Sequence, residues 1–103
     1  MPELFNITPR AKEDLRKIWN YSVETWNEEQ ANLYVRKLYD RFSWLAARPQ
    51  LGKHRQDIAQ GYYCFSQGRH LVFYLICKQG EGIDIIGIVH KEMDILHYFD
   101  GED

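Results

Sequence analysis

Two amphipathic helical patterns follow one another with almost no residues between them, and this constrains the chain more than any other feature. Ala11, Leu15, Ile18, Ser22 and Trp26 recur at helical spacing with charges on the other face, which predicts a helix over residues 9–25. Thr8 stands at its N-cap and Pro9 at its first position, where a missing N–H costs little. A second stripe, Ala31, Tyr34, Val35, Leu38, Phe42 and Leu45, begins at once. Asn27 can cap it, with Gln30 three residues on, Glu28 and Glu29 in the positive first turn, and Arg48-Pro49 as its stop. Helices joined so tightly bury their stripes by folding back as an antiparallel hairpin.

The period then changes. Residues 49–61, with Pro49, Gly52 and Gly61, read as a loop. Tyr62 to Phe65 reads as a short strand, Ser66 to Arg69 as a tight turn, and the nearly all-apolar run from His70 to Cys77 as a buried strand. Gln79 to Gly82 reads as a second turn and Ile83 to His90 as a last strand, while Leu4 to Thr8 alternates as an opening one. The expected class is α+β: an N-terminal strand, a helical hairpin, then a three-stranded antiparallel meander, all in one sheet packed on the hairpin. Spacing leaves the neighbour of the first strand undetermined.

At 103 residues and 45% hydrophobic, the chain suits one domain over 1–103, with a loosely ordered tail from about residue 96. No apolar run approaches the ~18 residues of a membrane span and no charged–apolar–small leader opens the sequence, so the expected place is the cytoplasm. The net charge of −2 hides segments of −2 over residues 1–30, +6 over 31–78 and −6 over 79–103. A basic middle suits an acidic protein or a nucleic-acid-bound target, or simply solubility.

Catalytic motifs are sparse. Cys64 and Cys77 are too far apart for a bridge if the first turn centres on residues 67–68, which sets Cys64 opposite about residue 71; both read as small buried residues. His54, His70, His90 and His97 lack zinc-ligand spacing, and neither a metal nor a cofactor is expected. His70 opens one strand and His90 closes another, so antiparallel pairing can bring them to one sheet end, either as a functional cluster with Lys91 and Asp94 or as solvated strand termini. Trp19, Trp26 and Tyr34 flank the helical stripes, either as edge-of-core packing or as a groove for an apolar partner segment.

Residues 51–74 and 83–94 carry a more specific pattern. Gly52, Arg55, Asp57, Gly61, Phe65, Gly68, Phe73 and Tyr74 are followed by His90, Met93 and Asp94, and Thr8, Ala11, Asp14 and Leu15 precede them. In order and spacing this resembles the ParE branch of the RelE/ParE toxins of bacterial toxin–antitoxin modules, over about residues 5–95. The resemblance implies a RelE/ParE-like fold and a toxin neutralised by a ParD-like antitoxin in a hetero-oligomeric complex. It further implies DNA gyrase as the target, with no catalysis and no sequence-specific DNA binding by the toxin itself. Arg55, Arg69, His90, Lys91 and Asp94 are then the candidate target contacts. Trp19, Trp26 and Tyr34, with Arg36 and Arg41 at the rim, form the candidate antitoxin surface.

Two other outcomes remain within the same superfamily. A RelE-type mRNA endonuclease needs a base for the 2′-hydroxyl and cations for the phosphorane, and His70, His90, Lys91 and Tyr98 are the residues available for those roles. A degenerate member would bind an antitoxin without arresting growth. The chain also departs from the pattern: Tyr63 and Gly87 stand where many members carry Arg, which removes positive charge from the sheet.

Overall fold

The computed structural model describes residues 4–77 and 82–100. Strand β1, Phe5–Ile7, leads into helix α1, Pro9–Thr25, and Thr8 caps it as expected, its side chain accepting the Ala11 N–H at 3.2 Å. The helix stops at Trp26, and Asn27 is fully extended, its side chain accepting the Gln30 N–H at 2.8 Å to start helix α2, Glu28–Ala47. Two capping residues, Trp26 and the extended Asn27, are the whole connection of the hairpin. Its buried stripes are Ala11, Leu15, Ile18 and Ser22 on α1, and Ala31, Leu38, Phe42 and Leu45 on α2.

A single 3-10 turn, Pro49–Leu51, precedes strand β2, Lys53–His54. Strands β3, Tyr63–Gln67, β4, His70–Ile76, and β5, Ile83–His90, follow. The sheet has five strands in the order β1-β5-β4-β3-β2. The meander is as expected, and two additions complete it. β1 lies parallel to β5, with Phe5 opposite Ile83 and Ile7 opposite Ile85, while β2 pairs antiparallel with β3 inside the stretch read as loop. Two residues of β2 are too few to show a period, which is why they read as loop.

The β3–β4 turn is Gly68-Arg69, with Gly68 at φ +59°, a conformation natural to glycine in two-residue hairpins. Gln67 therefore pairs with His70, and Cys64 lies opposite Phe73 rather than residue 71. Both cysteines are free thiols; Cys64 is buried as expected, whereas Cys77, just past the end of β4, is only partly buried. The second expected turn, Gln79 to Gly82, lies almost wholly outside the described residues.

β5 carries a bulge. Phe73 faces Gly87 but Tyr74 faces Ile85, leaving Ile86 as the extra residue. Ile83, Ile85 and Ile88 consequently share the face that packs on the hairpin, with Leu15, Ile18, Leu38, Phe42, Val72 and Tyr74. Cys64, Phe73 and Val89 form a smaller core on the opposite face.

That second face is closed by the chain end. Residues 96–100 were expected in a loose tail; instead Ile95–Asp100 form helix α3. Its start is held by Asp94, whose carboxylate accepts the His97 N–H at 3.2 Å. Phe99 packs edge-on against Phe73 and Tyr62, at ring distances of 5.1 and 5.2 Å. A six-residue helix is too short to display a stripe, and burial against the sheet is what orders it.

Candidate functional site: a groove between the hairpin and the sheet end

A groove of about 1030 Å³ runs between one side of the helical hairpin and the ends of β4 and β5. α1 contributes Lys17, Tyr21 and Thr25, α2 contributes Leu33, Tyr34 and Lys37, and the sheet end contributes Arg69, His70 and His90. Trp26 is 63% exposed, Tyr21 67%, Leu33 41% and Met93 49%, so four large apolar side chains of this groove face water. A set of that size on one concave surface marks a binding site rather than scattered surface residues. Two of the three lining carboxylates are already engaged: Glu13 pairs with Arg16, and Asp14 accepts hydrogen bonds from the Ile88 N–H at 3.0 Å and from the Tyr98 hydroxyl. Lys17, Lys37 and Arg69 therefore give the rim its sign.

His70 and His90 meet as their strand positions allow. They are register partners, with ring centres 5.3 Å apart and planes nearly perpendicular. Tyr34 joins them: its hydroxyl accepts the Arg69 N–H at 3.1 Å and lies 2.6 Å from His70 Nδ1. The phenol is a stronger acid than the imidazole N–H, so we assign the proton of this short bond to the hydroxyl and the ring proton of His70 to Nε2. Burial raises the Tyr34 phenol, which keeps that proton in place, and burial together with His90 lowers His70 to about 4. His90 Nδ1 accepts the Glu92 N–H at 3.1 Å. A backbone amide only donates, so His90 Nδ1 is the acceptor of that bond and the ring proton sits on Nε2 while the bond stands. The Lys91 N–H donates to the Arg69 carbonyl at 3.0 Å and ties the two strand ends together.

The remaining expected site residues are dispersed. Arg55 pairs with Asp57 through two bonds of 2.8 and 2.9 Å, which raises the guanidinium and holds the carboxyl below its usual range. Asp94 caps α3, and Lys91 is exposed beside the groove without lining it. Tyr98 does line the groove, but it is bound to Asp14, and burial pushes its phenol well above the ordinary value.

Of the expected antitoxin surface, Trp26 and Tyr34 lie in the groove and the rest lies outside it. Trp19 sits one residue, hence about 100°, round from the groove-facing Ile18, and its indole N–H donates to Asn32 at 2.8 Å. Arg36 is exposed elsewhere on α2. Arg41 donates to Gln67 at 2.8 Å and stacks on Trp44 at 4.5 Å, in a separate depression.

Tyr21, Leu33, Lys17 and Lys37 were not anticipated as groove residues. Their signal was present: Lys17–Tyr21–Thr25 and Leu33–Lys37 follow the four-residue step directly beside the buried stripes. Among the described residues, no group of three metal-ligating side chains occurs and no helix is long and apolar enough to cross a membrane.

Known proteins match over nearly the whole chain. Residues 5–95 match the sequence model of the ParE toxin of the type II toxin–antitoxin system parDE. Toxin ParE1 of Mycobacterium tuberculosis is 32% identical over 95 residues, covering 92% of this chain and 96% of that protein. Toxin ParE1 of Caulobacter vibrioides is 34% identical over 90 residues, covering 87% and 91%. A solved chain of the chromosomal ParDE toxin–antitoxin system from P. aeruginosa shares the fold, with a TM-score of 0.72 at 20% identity over 87% of this chain and 97% of its own. The chain described here belongs to the ParE toxin family of type II toxin–antitoxin systems.

Proposed function

We propose that this toxin acts in the cytoplasm by binding DNA gyrase and blocking replication, and that a cognate ParD-like antitoxin neutralises it by laying a segment into the groove. The groove carries the antitoxin half of the reading. Its exposed Tyr21, Trp26, Leu33 and Met93 can receive apolar anchors, while Lys17, Lys37 and Arg69 favour an acidic segment. Trp26 and Tyr34 form the centre of this footprint.

The gyrase half rests on the ParE likeness, and the histidine geometry supports binding over RNA cleavage. A ribonuclease needs a basic lone pair at the reacting hydroxyl. The Nδ1 atoms of His70 and His90 are already engaged, with the Tyr34 hydroxyl and the Glu92 N–H. Tyr98 is committed to Asp14.

The test of the target is a supercoiling assay on purified gyrase, with induction in bacteria alongside. Loss of supercoiling and a DNA-damage response are expected, with mRNA left intact in a translating extract. Normal supercoiling, or cleaved transcripts, would refute the gyrase reading. The test of the groove is affinity for the cognate antitoxin: Trp26→Ala with Leu33→Ala is expected to weaken binding by about thirtyfold or more, as for central anchors of an interface. Unchanged affinity would place the antitoxin elsewhere.

A further inference from the structure

The histidine pair is arranged to do something that the antitoxin reading does not require. Each ring turns Nδ1 toward a donor of the protein, Tyr34 hydroxyl for His70 and Glu92 N–H for His90. With the ring proton on Nε2, each has a donor on the side of the ring away from that bond. What two neighbouring imidazole N–H donors can take is an acceptor. Arg69 stands in the turn next to them, and its guanidinium supplies the charge.

We propose that Arg69, His70 and His90 form a carboxylate-receiving subsite at the sheet end of the groove, whose ligand is the side chain of an Asp or Glu in the segment that fills it. The occupant rests on the antitoxin reading above; the chemistry of the subsite does not. Tyr34 acts as a positioning residue: it spans from the Arg69 backbone to the His70 ring, so it sets both the turn and the tautomer. Gly68 belongs to the same device, since a Cβ there would lie 2.8 Å from the Tyr34 hydroxyl. The site suits a carboxylate better than a phosphodiester because its donors are two imidazole N–H groups and one guanidinium, not a row of Lys and Arg.

The experiment follows the imidazole nitrogens of the full chain by two-bond nitrogen–proton correlation spectra, which read the tautomer of each ring. The protein is titrated with sodium acetate, with sodium chloride at equal ionic strength and with inorganic phosphate. The free protein is expected to show Nε2-protonated tautomers for both rings at neutral pH. Acetate is expected to move His70 and His90 together along one saturating curve that chloride does not reproduce. Arg69→Gln, an exposed turn substitution, is expected to weaken that curve at least about threefold. Tyr34→Phe is expected to release the His70 tautomer while leaving that of His90. An Nδ1-protonated ring, acetate shifts no larger than those with chloride, or phosphate binding tighter than acetate would each overturn the proposal. No antitoxin is present in this titration, so its failure is distinct from failure of the groove: loss of acetate binding with intact antitoxin affinity at Trp26 refutes the subsite alone.

Discussion

Tyr98 and Asp14 lie 84 residues apart and share one hydrogen bond, the phenol donating to the carboxylate that also accepts the Ile88 N–H. β1 ends at Ile7, opposite Ile85, so beyond that point β5 has no strand on this side. Asp14 takes the place of the missing strand, and Tyr98 holds Asp14. Arg10 completes the arrangement by stacking on the Tyr98 ring at 3.8 Å and donating to its carbonyl. Asp14→Ala leaves the Ile88 amide without its acceptor, and is expected to destabilise the fold by about 1–3 kcal/mol. Tyr98→Phe removes one bond of the pair and should cost about 1 kcal/mol. Urea unfolding of both variants checks the order; a Tyr98→Phe loss exceeding that of Asp14→Ala would contradict it.

The same carboxylate–phenol pair accounts for the glycine at position 87. A Cβ at Gly87 would lie 2.8 Å from the Tyr98 hydroxyl and 3.1 Å from its ring edge. α3 fills the space that a side chain would need. Gly87→Ala is expected to destabilise by about 1–3 kcal/mol through overpacking, and Tyr98→Ala in the same chain should recover part of that loss. A strictly additive double variant would mean that the two residues do not compete for space.

His70 makes stability depend on pH. Burial and the neighbouring His90 lower it from 6.5 to about 4. The unfolded chain then takes up this proton before the native chain does, so stability rises with pH between those two values and is fully present above the upper one. Acidification across that window is expected to cost about 1–2 kcal/mol at this site, below the full linkage value because the ring is partly wetted. Once pH has fallen through 4 the native ring is protonated too, and this group adds no further loss. His70→Asn cannot take up the proton and should flatten the slope. Unfolding midpoints measured at both ends of the window decide this, and parallel slopes for the two proteins would refute it.

The parts of this molecule that were legible in advance are those with a period or a cap. Thr8-Pro9 and Asn27 announce their helices because side-chain capping is local chemistry. His70 opens one strand and His90 closes another, so antiparallel pairing allows them to meet at one sheet end, and they are register partners. The bond partners of these groups were not legible. Nothing near Tyr34 in sequence points to a histidine 36 residues on, and nothing near Asp14 points to Ile88. The bulge at Ile86 shifts the phase of β5, which no strand pattern foretells. The groove required the hairpin to be docked on the sheet before Leu33 and Tyr21 could be seen as neighbours of Arg69. Several residues that carry the family likeness hold the fold together: Gly52 with Tyr74, Arg55 with Asp57, and Asp94 at the start of α3.

Gly52 and Tyr74 give a sharp test of that last point. The fully buried Tyr74 phenol accepts the Gly52 N–H at 3.0 Å and donates to the Pro49 carbonyl at 2.8 Å, and burial pushes it up to about 12. A Cβ on Gly52 would lie 2.1 Å from that oxygen. The backbone at Gly52 is ordinary, with φ −71°, so space and not conformation excludes a side chain. Gly52→Ala is expected to cost about 1–3 kcal/mol, and Tyr74→Phe a similar amount by unpairing two backbone groups. The double variant should cost less than their sum, because the phenylalanine ring lacks the oxygen that the new methyl strikes. Full additivity in thermal unfolding would refute the contact.

Lys17 and Lys37 line the proposed antitoxin groove from α1 and α2, and both are exposed. Exposed rim charges act on the approach of a partner more than on its retention. Lys17→Glu with Lys37→Glu is expected to leave stability within about 0.5 kcal/mol, while slowing association with the cognate antitoxin by about tenfold at low salt. The salt dependence of the association rate should flatten, since the attraction it screens is gone. Trp26→Ala should behave in the opposite way, raising the dissociation rate and leaving association nearly unchanged, because the loss of a buried anchor is felt only in the formed complex. Rapid-mixing kinetics at two ionic strengths separate the two. If the lysine reversals instead acted through dissociation alone, those side chains would be buried contacts of the complex, and the groove would be gripped rather than approached at its rim.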